Sequence, residues 1–217
     1  MMGNPCVIIG GGGHAKVLIE ILQLEGRYSP YAITDGDPSK RGNKILGIPI
    51  VGTDTELPKL LENNVQHFIV GTGSVGKNQV RKRLFNKGCK AGFEPLTALH
   101  PTGKISGSAH IENGTALMAG AIVNVDSKIG KNCVINSGAI VEHDCHIADH
   151  VYLSSGVCLS STVKINCGAF LGIGATIKQT VQIGAWSIIG AGSVVLDDVP
   201  PKTIVAGVPA KIIKTKI

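Results

Sequence analysis

Glu142-His143-Asp144-Cys145-His146 is the most charged run in the C-terminal half of this 217-residue chain. A neutral imidazole next to a carboxylate is the minimal apparatus for taking a proton near neutral pH, because the acid orients the ring and raises its basicity. His143 and Asp144 are the candidates for that pair; the bland alternative is a solvated turn. A metal held by His143, His146 and His150 is the other chemistry these residue types allow. It requires three side chains to converge from consecutive strand and turn positions that face apart, so no metal is expected. The second group with chemical potential is Gly10-Gly11-Gly12-Gly13-His14-Ala15, directly after the apolar run Cys6 to Ile9. Glycines let backbone approach a phosphate, and the start of the following helix offers N–H groups and a positive dipole. Packing of helix against strand is the purely structural alternative for that loop.

The elements that must position these residues follow from two periodicities. From Leu99 to Val195 every sixth residue is Leu, Ile or Val, and four residues after each sits mostly a small side chain such as Ala109, Thr115, Ala121, Cys133, Ala139 or Cys145. A six-residue period is the mark of a parallel β-helix. Three hexads per coil place residue n beside n+18. Strand alternation then sorts the outward columns. His110, Lys128, His146, Lys164 and Gln182 form a polar face. Ala116, Val134, Tyr152, Phe170 and Ile188 form a second face, and Ile122, Ile140, Cys158, Thr176 and Val194 a third. Two apolar outer faces predict burial between copies, most simply in a cyclic homotrimer. The corner between them repeats glycine at Gly120, Gly138, Gly156, Gly174 and Gly192. The corner between the third and polar faces carries His143 and Asp144, at the rim of the expected interface.

The N-terminal residues 1–95 read as a Rossmann-like α/β half domain, and 96–217 as the all-β helix with a C-terminal tail. Strands are expected near Cys6–Ile9, Tyr31–Thr34 and Gln66–Val70. Thr53 and Glu56 are expected to form a capping box, and a basic helix is expected over Asn78–Asn86, ended by Gly88. Asp35 closes the second strand, where an acid can hold a ribose or sugar hydroxyl, and Gly71-Thr72-Gly73-Ser74 follows the third. A complete dinucleotide cofactor normally uses two such halves, so a mononucleotide or nucleotide sugar fits better than NAD.

Composition sets the outer bounds. The formal net charge is +6 and aromatic residues are 4% of the chain. No Arg/Lys stripe with interleaved aromatics suggests nucleic acid, and the charge suits small anions such as coenzyme A or a nucleotide-sugar pyrophosphate. Six cysteines without CxxC spacing are expected as free thiols in a reducing compartment, hence the cytoplasm. No run reaches membrane-spanning length, and the N-terminus reads as a first strand rather than a signal peptide.

These residues together resemble a bacterial family: hexapeptide-repeat (left-handed β-helix) sugar acetyltransferases with an N-terminal nucleotide-sugar domain, of the UDP-4-amino-sugar N-acetyltransferase and sialic acid O-acetyltransferase types. The resemblance rests on Gly10–His14 with Asp35, on Asn136-Ser137 followed by Val141–Cys145, and on the tail Val205–Lys211. It implies acetyl-CoA as cosubstrate and direct transfer to the 4-amino group of a nucleotide-linked sugar. A sialic acid O-acetyltransferase and a non-catalytic sugar-nucleotide scaffold are the alternatives. His143 is implied as general base, Asp144 as its supporting acid and Asn136 as a neighbour of the reacting amine. Gly12, Gly13, His14, Asp35, Gly36 and Gly73 are implied at the nucleotide sugar, and Tyr152, Ile173 and Ala191 at acetyl-CoA. The family often carries His where Tyr152 stands and Gly where Ala191 stands.

Overall fold

The computed structural model describes residues 3–215. The chain divides into two compact units, Met1–Gly73 with Val80–Pro101, and Ser74–Gln79 with Thr102–Ile217. The division is therefore discontinuous, where the sequence suggested one cut after residue 95.

In the first unit the chain runs β1 (Asn4–Ile9), α1 (Gly13–Glu25), β2 (Tyr28–Thr34), β3 (Lys44–Ile45), β4 (Ile48–Gly52), α2 (Leu57–Glu62), β5 (His67–Val70), α3 (Asn78–Lys90) and β6 (Glu94–Pro95). The sheet order is β3-β4-β2-β1-β5-β6. Only the hairpin partner β3 is antiparallel; β4, β2, β1, β5 and β6 are parallel neighbours. This is the doubly wound order, with the chain reversing direction across the sheet between β1 and β5. Two parallel strands, β4 and β6, exceed the three expected. Both contain proline, which removes a ladder donor and hides a strand from pattern reading.

Helix α1 buries Ala15, Leu18, Ile19, Ile21 and Leu22 and stops at Gly26, whose left-handed backbone donates its N–H to Leu22 O at 3.0 Å. Helix α3 does not end at Gly88 as expected; it continues to Lys90. A Cβ on Gly88 would lie 2.4 Å from the Phe68 ring, so this glycine serves packing, and the turn at Gly92 (φ +99°) ends the helix. Thr53 caps a short 3-10 turn, accepting from Thr55 N, and the Glu56 carboxylate reaches Arg41 instead of closing a capping box.

The second unit is the expected parallel β-helix. Two-residue strands from Lys104–Ile105 to Val194–Val195 pair with strands one coil away, as in Ala116↔Val134, Ile122↔Ile140 and Lys128↔His146. Inward aliphatics such as Ile135, Val141, Leu153 and Leu171 are fully buried. From Gly114 to Gly192 each hexad turns at a left-handed residue. One corner uses the five glycines from Gly120 to Gly192, while another uses Asp126, Asp144, Thr162 and Thr180 at φ of 57 to 66°. The three outer faces differ from the expectation in one respect. The second face is covered by its own chain at Ala116, Val134 and Tyr152, which are buried, while Phe170 and Ile188 are partly open. Segment Ser74–Gln79 lies on it, with the Asn78 amide donating to Gly168 O and Ala169 O at 3.2 and 2.9 Å. A Cβ on Gly76 would touch Ile188 at 2.9 Å. The third face is partly open along its length. The chain closes with an antiparallel hairpin, Thr203–Gly207 against Ala210–Thr215. No described helix is long and apolar enough to cross a membrane.

Candidate active site

The His143 corner is built by backbone. Asp144 adopts φ +59°, which turns its side chain onto the preceding residue instead of the opposite face. Its Oδ2 accepts from His143 Nδ1 at 2.7 Å. With Nδ1 donating, the basic lone pair is on Nε2. The corner is stitched into the rungs on either side: Asp144 N donates to Val125 O at 3.0 Å, and Thr162 N to His143 O at 3.0 Å. About half of each side chain is open, 50% for His143 and 55% for Asp144. Glu142 turns away from the imidazole and accepts from the Asn124 amide at 3.1 Å. His146 is exposed on the polar face, and His150 is buried at another corner against Asn132 (3.0 Å). The three histidines thus point to different sides of the coil.

Asn136 is not beside His143. It ends the second face, and Ile140–Val141 of the third face separates the two. Its amide donates to the Tyr152 hydroxyl at 3.3 Å, its oxygen accepts from Ser137 N at 2.8 Å, and Tyr152 stacks on Phe170 with centroids 5.6 Å apart. Ile173 and Ala191 are successive steps of the glycine corner next to them, joined by Gly192 N donating to Ile173 O at 2.8 Å. Ile173 is 65% exposed and Ala191 is also exposed. Tyr152 is only 6% exposed, against 65% for Ile173. One edge of the third face therefore holds Asn136, Ile173 and Ala191, and the other holds His143 and Asp144.

In the first unit, Gly12, Gly13, His14, Asp35, Gly36 and Gly73 all lie at the carboxyl ends of adjacent strands β2, β1 and β5. Gly12, Gly13 and Gly36 face open space. Asp35 braces the loop: Oδ2 accepts from Gly11 N at 2.9 Å and Lys40 Nζ at 3.0 Å, and Oδ1 from Asp37 N at 2.9 Å. Burial pushes its pKa up, but the bonds from Asp37, Lys40 and Gly11 outweigh that and hold the carboxyl below its ordinary value. His14 is pushed down to about 3, first by burial and then by the nearby Arg81 cation, and is therefore a neutral ring at physiological pH. Arg81 escaped the sequence reading. It sits in a basic helix with Lys82 and Arg83 that looks like a solvated face, yet it is fully buried.

Comparison with known proteins gives the family. Residues 6–88 match the PglD N-terminal domain family and residues 126–161 the bacterial transferase hexapeptide (six repeats) family. A histidine-to-asparagine variant of perosamine N-acetyltransferase from Caulobacter crescentus, solved with CoA and GDP-perosamine, is 42% identical. The match covers 98% of this chain and 97% of that one, with a TM-score of 0.90. The chain belongs to the PglD-type hexapeptide-repeat acetyltransferase family. Another member, the acetyltransferase domain of PglB from Neisseria gonorrhoeae FA1090 in complex with acetyl coenzyme A, is 31% identical over 97% of this chain and 100% of that one (TM-score 0.89). The curated UDP-N-acetylbacillosamine N-acetyltransferase of Bacillus subtilis is 39% identical over 114 residues; the chain spans about half the length of that relative. For a member of this family the thiol at the acid–base corner is informative. Cys145 is fully buried and burial raises its pKa to about 11. It is neither exposed nor ionised, which disfavours an acyl-cysteine route.

Proposed function

We propose that this protein transfers the acetyl group of acetyl-CoA to the 4-amino group of a nucleotide-linked amino-deoxy sugar. The observation that carries this reading is the 2.7 Å bond from His143 Nδ1 to Asp144, which leaves Nε2 as a base on an open corner. The amine nitrogen attacks the thioester carbonyl, the C–N bond forms and the C–S bond breaks. His143 Nε2 removes the proton from the nitrogen and returns it to the departing thiolate, and Asp144 stabilises the imidazolium formed in between. The nucleotide part sits on the Gly12–Gly13 loop at the start of α1. Coenzyme A runs along the corner with Ile173 and Ala191. The Caulobacter and Bacillus relatives are named N-acetyltransferases, which favours an amine over a hydroxyl acceptor.

The working site forms between copies. Asn136 and His143 occupy opposite edges of one apolar face, so a cyclic trimer that packs these faces sets one copy's glycine corner against the next copy's base. Six free thiols in this chain, with acetyl-CoA as cosubstrate, favour a reducing compartment such as the cytoplasm.

An acetyl-CoA consumption assay against UDP-, GDP- and dTDP-linked 4-amino sugars tests the acceptor class; turnover with none of them overturns it. In the His143→Ala variant kcat is expected to fall by about 10²–10⁴-fold while acetyl-CoA still raises the melting temperature. Near-normal turnover in that variant ends the assignment of the base.

A further inference from the structure

The first unit contains a guanidinium with no solvent exposure, Arg81 on α3. One of its terminal nitrogens, Nη1, donates to Val70 O at 3.3 Å and also to Thr72 O. These carbonyls flank Gly71, where the chain leaves β5. That turn has no freedom of its own relative to the glycine loop. Gly71 N donates to Ile9 O at 2.8 Å. A Cβ on Gly71 would come 2.3 Å from Gly10 O and 2.4 Å from Ile8 Cγ2, and one on Gly10 (φ +107°) would come 2.1 Å from Thr72 Oγ1. The two turns at the switch point touch backbone to backbone, so the position of one dictates the position of the other. On the far side Asp35 ties down Gly11. The glycine loop is thus clamped between an acid at the end of β2 and a turn whose carbonyls are held by Arg81.

The charge matters as well as the geometry. A buried cation is poorly screened, and its field reaches farther than that of a surface lysine. Arg81 lies close enough to His14 to help keep that ring neutral. It stands behind a loop whose outer residues, Gly12 and Gly13, face open space. Both carbonyls are held by one nitrogen at the end of a rigid planar guanidinium, a position that an ammonium on a flexible stem does not reproduce.

We propose that Arg81 is a positioning residue for the diphosphate of the sugar nucleotide: it fixes the Gly71–Gly73 turn so that the Gly10–Gly13 loop keeps its ligand-binding curvature, and it supplies a buried positive charge behind that loop. This rests on the reading that the loop takes a nucleotide-linked sugar. Arg81→Lys and Arg81→Met test it, with Arg81→Lys, which keeps the charge, as the variant to read if the other does not fold. Calorimetric titration with UDP and with GDP is expected to show affinity falling about tenfold or more in Arg81→Lys. KM for the nucleotide sugar should rise in parallel, with kcat and the KM for acetyl-CoA within about threefold of wild type. In Arg81→Met the His14 ring, followed by NMR, should titrate at higher pH than in the parent. Folded variants that bind the nucleotide as wild type does would overturn the role of Arg81. Wild-type protein that binds neither UDP nor GDP would instead overturn the nucleotide reading of the loop, and this inference with it.

Discussion

Asp144 occupies backbone space that L-residues enter at a cost of about 1–2 kcal/mol, and the return on that strain is a carboxylate 2.7 Å from the ring of its own neighbour. In an ordinary extended strand two successive side chains would point to opposite faces and could not pair. This pair was legible in the sequence because both partners are contiguous and fall at a turn of the hexad. Arg81 was not, because nothing in a run of basic helical residues marks the one that points inward. His14 is a related case, with a glycine motif that locates it but a burial that only packing reveals. Its pKa of about 3 makes a prediction. The unfolded chain binds a proton on His14 below its ordinary value of about 6.5, whereas the folded protein does not until about pH 3. The contribution of His14 to stability is therefore whole above about pH 6.5 and drains away as pH falls through that window, by on the order of 1 kcal/mol per pH unit. Melting temperatures measured between pH 7.5 and 4.5 should fall less steeply in His14→Gln than in wild type. Parallel curves would show that the ring is not buried as a neutral group.

At the scale of elements, the solenoid was readable because its period is strict, and each deviation has a local cause. The corner glycines from Gly120 to Gly192 relieve the left-handed turn, while Thr162 and Thr180 occupy the same backbone region and hydrogen-bond the carbonyl of the residue before, at 2.7 and 2.6 Å. In the first unit β4 and β6 were hidden by Pro49 and Pro95, and the end of α3 was misplaced because a glycine near a helix terminus reads as a cap. Gly88 separates the two explanations. Helix propensity alone says that Gly88→Ala stabilises an interior helical position by about 1 kcal/mol. The structure says the opposite, since the new methyl would meet the Phe68 ring at 2.4 Å inside the cluster of Phe68, Phe85 and Phe93. Overpacking of that kind costs about 1–3 kcal/mol, so Gly88→Ala should melt several degrees lower in calorimetry. A higher melting temperature would mean that Gly88 is a cap after all.

For the whole molecule, the sequence suggested two apolar outer faces awaiting partners; the chain itself buries Ala116, Val134 and Tyr152 of the second, and the third is partly open throughout. Part of the second face was hidden from the sequence because Ser74–Gln79, which reaches Gly168, Ala169 and Ile188, lies far from it in sequence and carries no hexad signal. On the third face Ile122, Ile140, Cys158 and Val194 are only partly covered, and its margins carry Val125 at 49% and Ile173 at 65% exposure. An apolar strip bounded by the proposed base on one edge and the proposed coenzyme corner on the other ties assembly to catalysis. Ile140→Arg tests that link, because position 140 is in mid-strand on this face and touches none of the chemistry. An arginine buried without a partner costs about 3–5 kcal/mol, and a cyclic interface repeats the cost at every contact. If the proposed trimer is right, sedimentation should show wild type as a trimer and the variant as a monomer, with an unchanged circular dichroism spectrum and turnover reduced by at least about 100-fold. A monomeric variant that keeps wild-type turnover would mean that one chain suffices, and that Asn136 and His143 work apart.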